Sequence, residues 1–104
     1  FMSFNHCCRG PDTQYQVRVG RSRDIAGPYL DANGWPLYLG GGTPLIARDG
    51  NYMGTGHSDL FSENGQDWLV HHAKRADEGY RAYLHIRKLR WLTTGWPSLC
   101  AEPA

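Results

Sequence analysis

The chain has 104 residues with 11 Lys and Arg against 10 Asp and Glu, so its charge is nearly balanced and offers no broad basic face for nucleic acid. Only 40% of its residues are apolar and no apolar run approaches the roughly 18 residues of a span, so nothing reads as a membrane-crossing helix or a signal-peptide core, and no membrane partner is expected. With 13 Gly, 6 Pro and 4 Trp, the composition is poor in helix formers and rich in turn formers and flat side chains, which points to an all-β fold.

The first segment, Phe1-Met2-Ser3-Phe4, reads as a strand already in progress without the polar lead-in of a terminus, so a longer parent polypeptide is expected. Cys7 and Cys8 are adjacent and Cys100 lies near the other end, which matches neither a disulfide framework nor a zinc-ribbon spacing. A bridge from Cys100 to either partner and free buried thiols both remain open. Gln14 to Val19 alternates, with Tyr15, Val17 and Val19 on one face and Gln14, Gln16 and Arg18 on the other, the pattern of a half-buried antiparallel strand. Further strands are expected at Pro44 to Ala47, Tyr52 to Phe61, Trp68 to His72, Tyr80 to Ile86 and Leu89 to Leu92. In the fifth of these six, Leu84 and Ile86 alternate with Tyr83, His85 and Arg87, and His85 is expected to face solvent or a neighbouring sheet. Turns are marked by Asn33-Gly34, Asp49-Gly50, Asn64-Gly65, Glu78-Gly79 and Thr94-Gly95, whose glycines are spaced by 16, 15, 14 and 16 residues. No segment of eleven or more residues carries a helical period.

A faint repeat accompanies these turns. Gly34-Trp35-Pro36-Leu37 returns as Gly95-Trp96-Pro97-Ser98-Leu99, an offset of 61 residues, and each copy follows a strand with interleaved basic residues. About four short strands per repeat is the period of a β-propeller blade, a sheet that buries its faces against its neighbours. Two copies cannot close a ring, so unpaired faces and edges are expected.

The run Ser3-Phe4-Asn5-His6-Cys7-Cys8-Arg9-Gly10, then Tyr15 to Ser22 and Gly27-Pro28-Tyr29, resembles the fourth blade of glycoside hydrolase family 43 arabinanases. Gly54-Thr55-Gly56-His57-Ser58, Asp67-Trp68-Leu69-Val70-His71-His72-Ala73 and the stretch from Leu84 to Pro97 are similar to the fifth, closing blade of those enzymes. The resemblance implies about the last two blades of a five-bladed β-propeller built of antiparallel four-stranded sheets, with 1–39 completing blade four and 40–104 forming blade five. It also implies inverting hydrolysis of α-1,5-linked L-arabinan, or of related arabinose- and xylose-containing chains.

Inversion needs an acid for the leaving oxygen and a carboxylate base for water on the opposite face. In the family these groups, and a third carboxylate that tunes the acid, belong to earlier blades, so the chain alone is expected to be inactive. Its own acids, from Asp12 to Glu102, read as ordinary solvated carboxylates.

His57 is the sharpest site candidate. The resemblance places it near the propeller axis as a ligand of a central, largely water-coordinated ion, taken as calcium, although Thr55 replaces the Pro of the family's motif. The flanking glycines suit close backbone approach at a crowded axis. Read on its own, a His between Gly and Ser is more often a hydrogen-bonded structural residue. His6, Cys7 and Cys8 follow what reads as the second strand of a blade, which ends on the face where the innermost strand begins. They are thus candidates for the substrate-binding wall, or else small buried side chains of a tight loop. Neither thiol is expected to act as a nucleophile, since no base is linked to it by a motif.

His71 and His72 are adjacent on a strand, so their rings point to opposite faces and cannot share one ion. Packing and hydrogen bonding are expected of both. Trp35, Trp68, Trp91 and Trp96 read as blade packing before sugar stacking. The expected partners are therefore arabinan or an arabino-oligosaccharide, together with the missing N-terminal blades, a second chain or further copies of this one. A non-catalytic carbohydrate-binding or self-assembling β module is the alternative. Location stays open: secreted or periplasmic suits a polysaccharide hydrolase, and cytoplasmic suits one acting on oligosaccharides.

Overall fold

Seven strands in two antiparallel sheets make up a computed structural model that describes residues 1–4, 12–46 and 52–99. The alternation of the first clear strand is realised in β2 (Gln16–Val19), where Val17 and Val19 are buried and Gln16 and Arg18 are half-buried. It lies at the centre of a three-stranded sheet, with β1 (Met2–Phe4) on one edge and β3 (Thr43–Ile46) on the other. The second sheet is a four-stranded meander of β4 (Tyr52–Glu63), β5 (Gln66–Arg75), β6 (Arg81–Trp91) and β7 (Pro97–Leu99). Short 3-10 turns lie at Leu37–Leu39 and Ala76–Glu78.

The first sheet contributes three strands among the described residues, in keeping with the remainder of a blade. β3 returns across the 20–42 loop to pair with β2, and the second sheet begins with β4. The two strands expected from Tyr80 to Ile86 and from Leu89 to Leu92 are one, paired with β5 without a break from Arg75↔Arg81 to Asp67↔Leu89. The Arg87-Lys88 pair does not interrupt it, because alternation sends the two side chains to opposite faces and Lys88 lies over the Trp68 ring, its Nζ 5.7 Å from the centroid.

The turn repeat is structural. Asp31 N–H donates to Trp35 O and Gly34 N–H to Asp31 O; 61 residues on, Leu92 N–H donates to Trp96 O and Gly95 N–H to Leu92 O. Both glycines are left-handed, at φ 81° and 86°, a region closed to most side chains, which is why the dipeptide signal was readable. The bridge Leu30↔Pro36 then matches the pair Trp91↔Pro97 that opens β7.

The sheets meet through Val17 and Ile46 of the first and Leu69 of the second, with Leu45 and Leu99 packed alongside. Each such side chain contributes about 1.5–3 kcal/mol by leaving water. On the covered face of the second sheet Leu69, Ala73 and Leu89 are at most 3% exposed. Its other face carries Leu84 and Ile86, 71% and 52% exposed. Thus the apolar alternates of β6 point outward, whereas His85 is half-buried on the covered face that it shares with Leu89, the face turned to the neighbouring sheet. Its ring centroid lies 5.3 Å from that of His71 and 4.9 Å from that of Tyr52.

Candidate functional site

His57 lies in β4 where the pairing to β5 slips twice, between Met53 and Gly56 and again between Gly56 and Asp59. Such irregularities free a strand from strict alternation and re-aim its side chains. His57 itself has φ 53°, a left-handed conformation that non-glycine residues adopt at a cost. Contacts from the first sheet hold it there. The Tyr15 hydroxyl accepts the His57 backbone N–H at 3.0 Å, and the Ser3 hydroxyl accepts that of Ser58 at 3.2 Å. On the N-terminal side the buried Thr55 hydroxyl donates to Ile46 O at 3.4 Å, so the residue standing where the family has Pro also ties the two sheets.

Gly56 is the position that makes this possible. The Tyr15 ring lies flat against its backbone, and a Cβ there would fall 2.3 Å from Tyr15 Cζ. The same ring is 5.5 Å from that of His72, which pairs across from Gly56, and the His72 and His57 ring centroids are 6.4 Å apart. Burial, followed by the charges of Lys74 and His57, holds the His72 imidazole below its ordinary value, against hydrogen bonding to the backbone at Gly54. Its Nδ1 is buried without a hydrogen-bond partner among the described residues. His57, by contrast, is exposed, with its imidazole open to ligands.

One open imidazole fits one position in a cation's coordination shell. Among the described residues no group of three or more His, Cys, Asp or Glu comes together, so they hold no complete cation site. His71 and His72 behave as expected of neighbours on a strand: the first packs on His85 on one face, and the second on Tyr15 towards His57. His6, Cys7, Cys8 and Cys100 lie outside the described residues. Tyr15 and Ser3 were not singled out from the sequence as site residues, whereas Gly56 was read as a position of close backbone approach. The signal for Tyr15 was present but misleading, since its place on the Val17 and Val19 face marks it as core.

The described acids that depart from ordinary behaviour all shift one way. Asp31 is held low by backbone N–H bonds from Gly42, Trp35 and Asn33; Asp67 by Ser62 and the Trp91 indole; Asp77 by Arg75. A general acid needs the opposite shift.

An all-β chain of two blade-like sheets joined at a seam, with one histidine pinned midway along a long strand, has the make-up of a portion of a propeller. The chain belongs to glycosyl hydrolases family 43, whose family model matches residues 1–97. It is similar to the extracellular exo-α-(1→5)-L-arabinofuranosidase ArbA of Cellvibrio japonicus, with 40% identity over 95% of this chain and 28% of that protein. The extracellular endo-α-(1→5)-L-arabinanase 1 of Bacillus subtilis is 39% identical over 93% of this chain and 29% of its own length. The α-L-arabinanase of Cellvibrio cellulosa complexed with arabinohexaose superposes with a TM-score of 0.87 at 40% identity, covering 94% of this chain and 31% of that structure. The fold is therefore a partial five-bladed β-propeller, and the chain spans under a third of the length of these relatives.

Proposed function

We propose that this chain is part of an inverting glycoside hydrolase acting on α-1,5-linked L-arabinan, in which it completes the propeller and lines one wall of the cleft. The observation that carries this reading is the 40% identity to an α-(1→5)-L-arabinofuranosidase across 95% of the chain. The acid and base, about 6.5–9.5 Å apart in an inverting enzyme, come from other blades, as the resemblance to the family implies. Alone, the chain is inactive.

His57 is one ligand of a calcium ion at the axis, with waters and other blades completing the shell. Such an ion supplies fixed positive charge beside the cleft. This chain's share of the work is to hold the imbalance-free geometry of one donor: Tyr15 fixes the His57 backbone and Gly56 leaves room for the Tyr15 ring. His6, Cys7 and Cys8 form part of the saccharide-binding wall.

The test joins the chain to the N-terminal two-thirds of the Cellvibrio relative and follows linear arabinan by NMR. The expected first product is the inverted anomer; release of the retained anomer overturns the mechanism. Calcium titration of the joined protein should weaken on His57→Ala, and an unchanged affinity removes His57 from the ion.

One observation favours a second reading, a non-catalytic saccharide-binding or self-assembling module: the open apolar face at Leu84 and Ile86. A dimeric mass that becomes monomeric in Leu84→Lys, with no hydrolysis by the joined protein, would establish it.

A further inference from the structure

A cavity of about 700 Å³ lies at the other end of the seam from His57, between the 21–34 loop and Trp96 of the turn before β7. Tyr15, at one end of β2, touches His57, and Arg21, just past the other end, reaches the turn before β7. Six residues of extended chain separate them by about 20 Å. The cavity is thus distinct from the axial site, and its volume lies in the range of small-molecule sites.

Its walls are fixed. Arg21 and Leu30 exchange two backbone hydrogen bonds of 2.9 Å. The Asp31 carboxylate accepts backbone N–H groups from Asn33, Trp35 and Gly42, which sets the loop and commits that side chain. Arg21 is immobilised as well: its guanidinium stacks over the Trp96 ring at 4.3 Å and Nη1 donates to Thr94 O at 2.7 Å. The fork is therefore set in place before any ligand arrives.

What lines this space is chemically mixed. Arg21 and Arg23 offer donors, and Asp24 offers acceptors, with the side chains of Arg23 and Asp24 making no hydrogen bond or ion pair among the described residues. Two cations stand against two carboxylates, Asp24 and Asp31, so the cavity has no net charge to select an anion. Adjacent sugar hydroxyls, each both donor and acceptor, suit planar groups of both kinds side by side, while Pro28, Leu30 and the Trp96 edge supply the apolar surface that a ring needs.

We propose that this cavity is a second saccharide-binding site for a neutral oligosaccharide, holding polymer on the end of the sheets away from His57. Naming that oligosaccharide an arabinan rests on the function proposed above.

The test follows the four Trp indole N–H resonances of the ¹⁵N-labelled full chain during separate titrations with arabinohexaose, xylohexaose, a galacturonate oligomer and inorganic phosphate. The expected result is a saturable shift of the Trp96 resonance with arabinohexaose. Arg23→Ala and Asp24→Asn should each raise the dissociation constant about tenfold, the size of one lost charge-assisted hydrogen bond. Both residues are exposed, so the spectrum should otherwise be unchanged, and His57→Ala should leave the affinity as it is. A response to xylohexaose alone would keep the neutral-saccharide site and count against arabinan as the substrate. No shift with either neutral sugar, equal affinity in both variants, or tighter binding of galacturonate or phosphate would overturn the proposal.

Discussion

The two faces of the four-stranded sheet are built from the same strands, yet they meet different surroundings. On one, Leu69, Ala73 and Leu89 are buried, with Leu69 against Val17 and Ile46 of the first sheet; on the other, Leu84 and Ile86 stand exposed. Leu84 and Ile86, at alternate positions of one strand, leave apolar surface on that face open to a partner surface. The difference teaches that one face finds its cover within the chain while the other is shaped for cover from outside it. In a propeller that cover is the next blade.

Breaking the covered face should have the largest effect. Leu69→Ala removes a fully buried side chain at the centre of the seam and is expected to cost about 2–5 kcal/mol, read as a lower urea midpoint. The open face sharpens the contrast. Ile86→Ser should change the isolated chain by less than about 0.5 kcal/mol, whereas in the protein joined to the remaining blades the same change should cost about 2 kcal/mol, because there the side chain is buried. A large loss in the isolated chain would mean that the face is covered after all.

Smaller effects belong to the seam at the His57 end. Tyr15→Phe keeps the ring against Gly56 and deletes the acceptor of the His57 N–H, for an expected loss of about 1 kcal/mol. Hydrogen exchange at the His57 amide should quicken while that of Leu69 stays slow. The smallest effect is a pH dependence. Since the folded His72 pKa lies below the ordinary 6.5, the unfolded chain takes up its proton first. Stability from this group should be full above pH 6.5 and should fall as pH drops from there through the lower folded value. Urea midpoints between pH 7.5 and 5 should show that slope in the wild type and a shallower one in His72→Gln.

Much of this was legible from local pattern. The alternation around Val17, the turns at Gly34, Gly65, Gly79 and Gly95 and the Trp-Pro repeat each depend on neighbours within a few residues, and each is realised in the fold, while Asp49-Gly50 lies outside the described residues. What escaped depends on distance along the chain. Tyr15 meets His57 across 42 residues, so its alternation reads as core although its hydroxyl serves the site backbone. Strand β3 joins the first sheet across the 20–42 loop, which no local signal announces. In β6 the apolar alternates face outward, and a single sequence cannot say which face is covered when the cover is another part of the fold. His57 was legible as a candidate from its glycine-flanked motif, but not its left-handed backbone or its ties to Ser3 and Tyr15.

The central claim is that this chain supplies structure and one axial histidine to a hydrolase whose carboxylates lie elsewhere. The most direct measurement is reducing-sugar release from linear arabinan by the purified 104-residue chain, with its mass in solution determined on the same sample. The account predicts no release by the chain alone and release once it is joined to the remaining blades. Sustained turnover by the chain alone would contradict it.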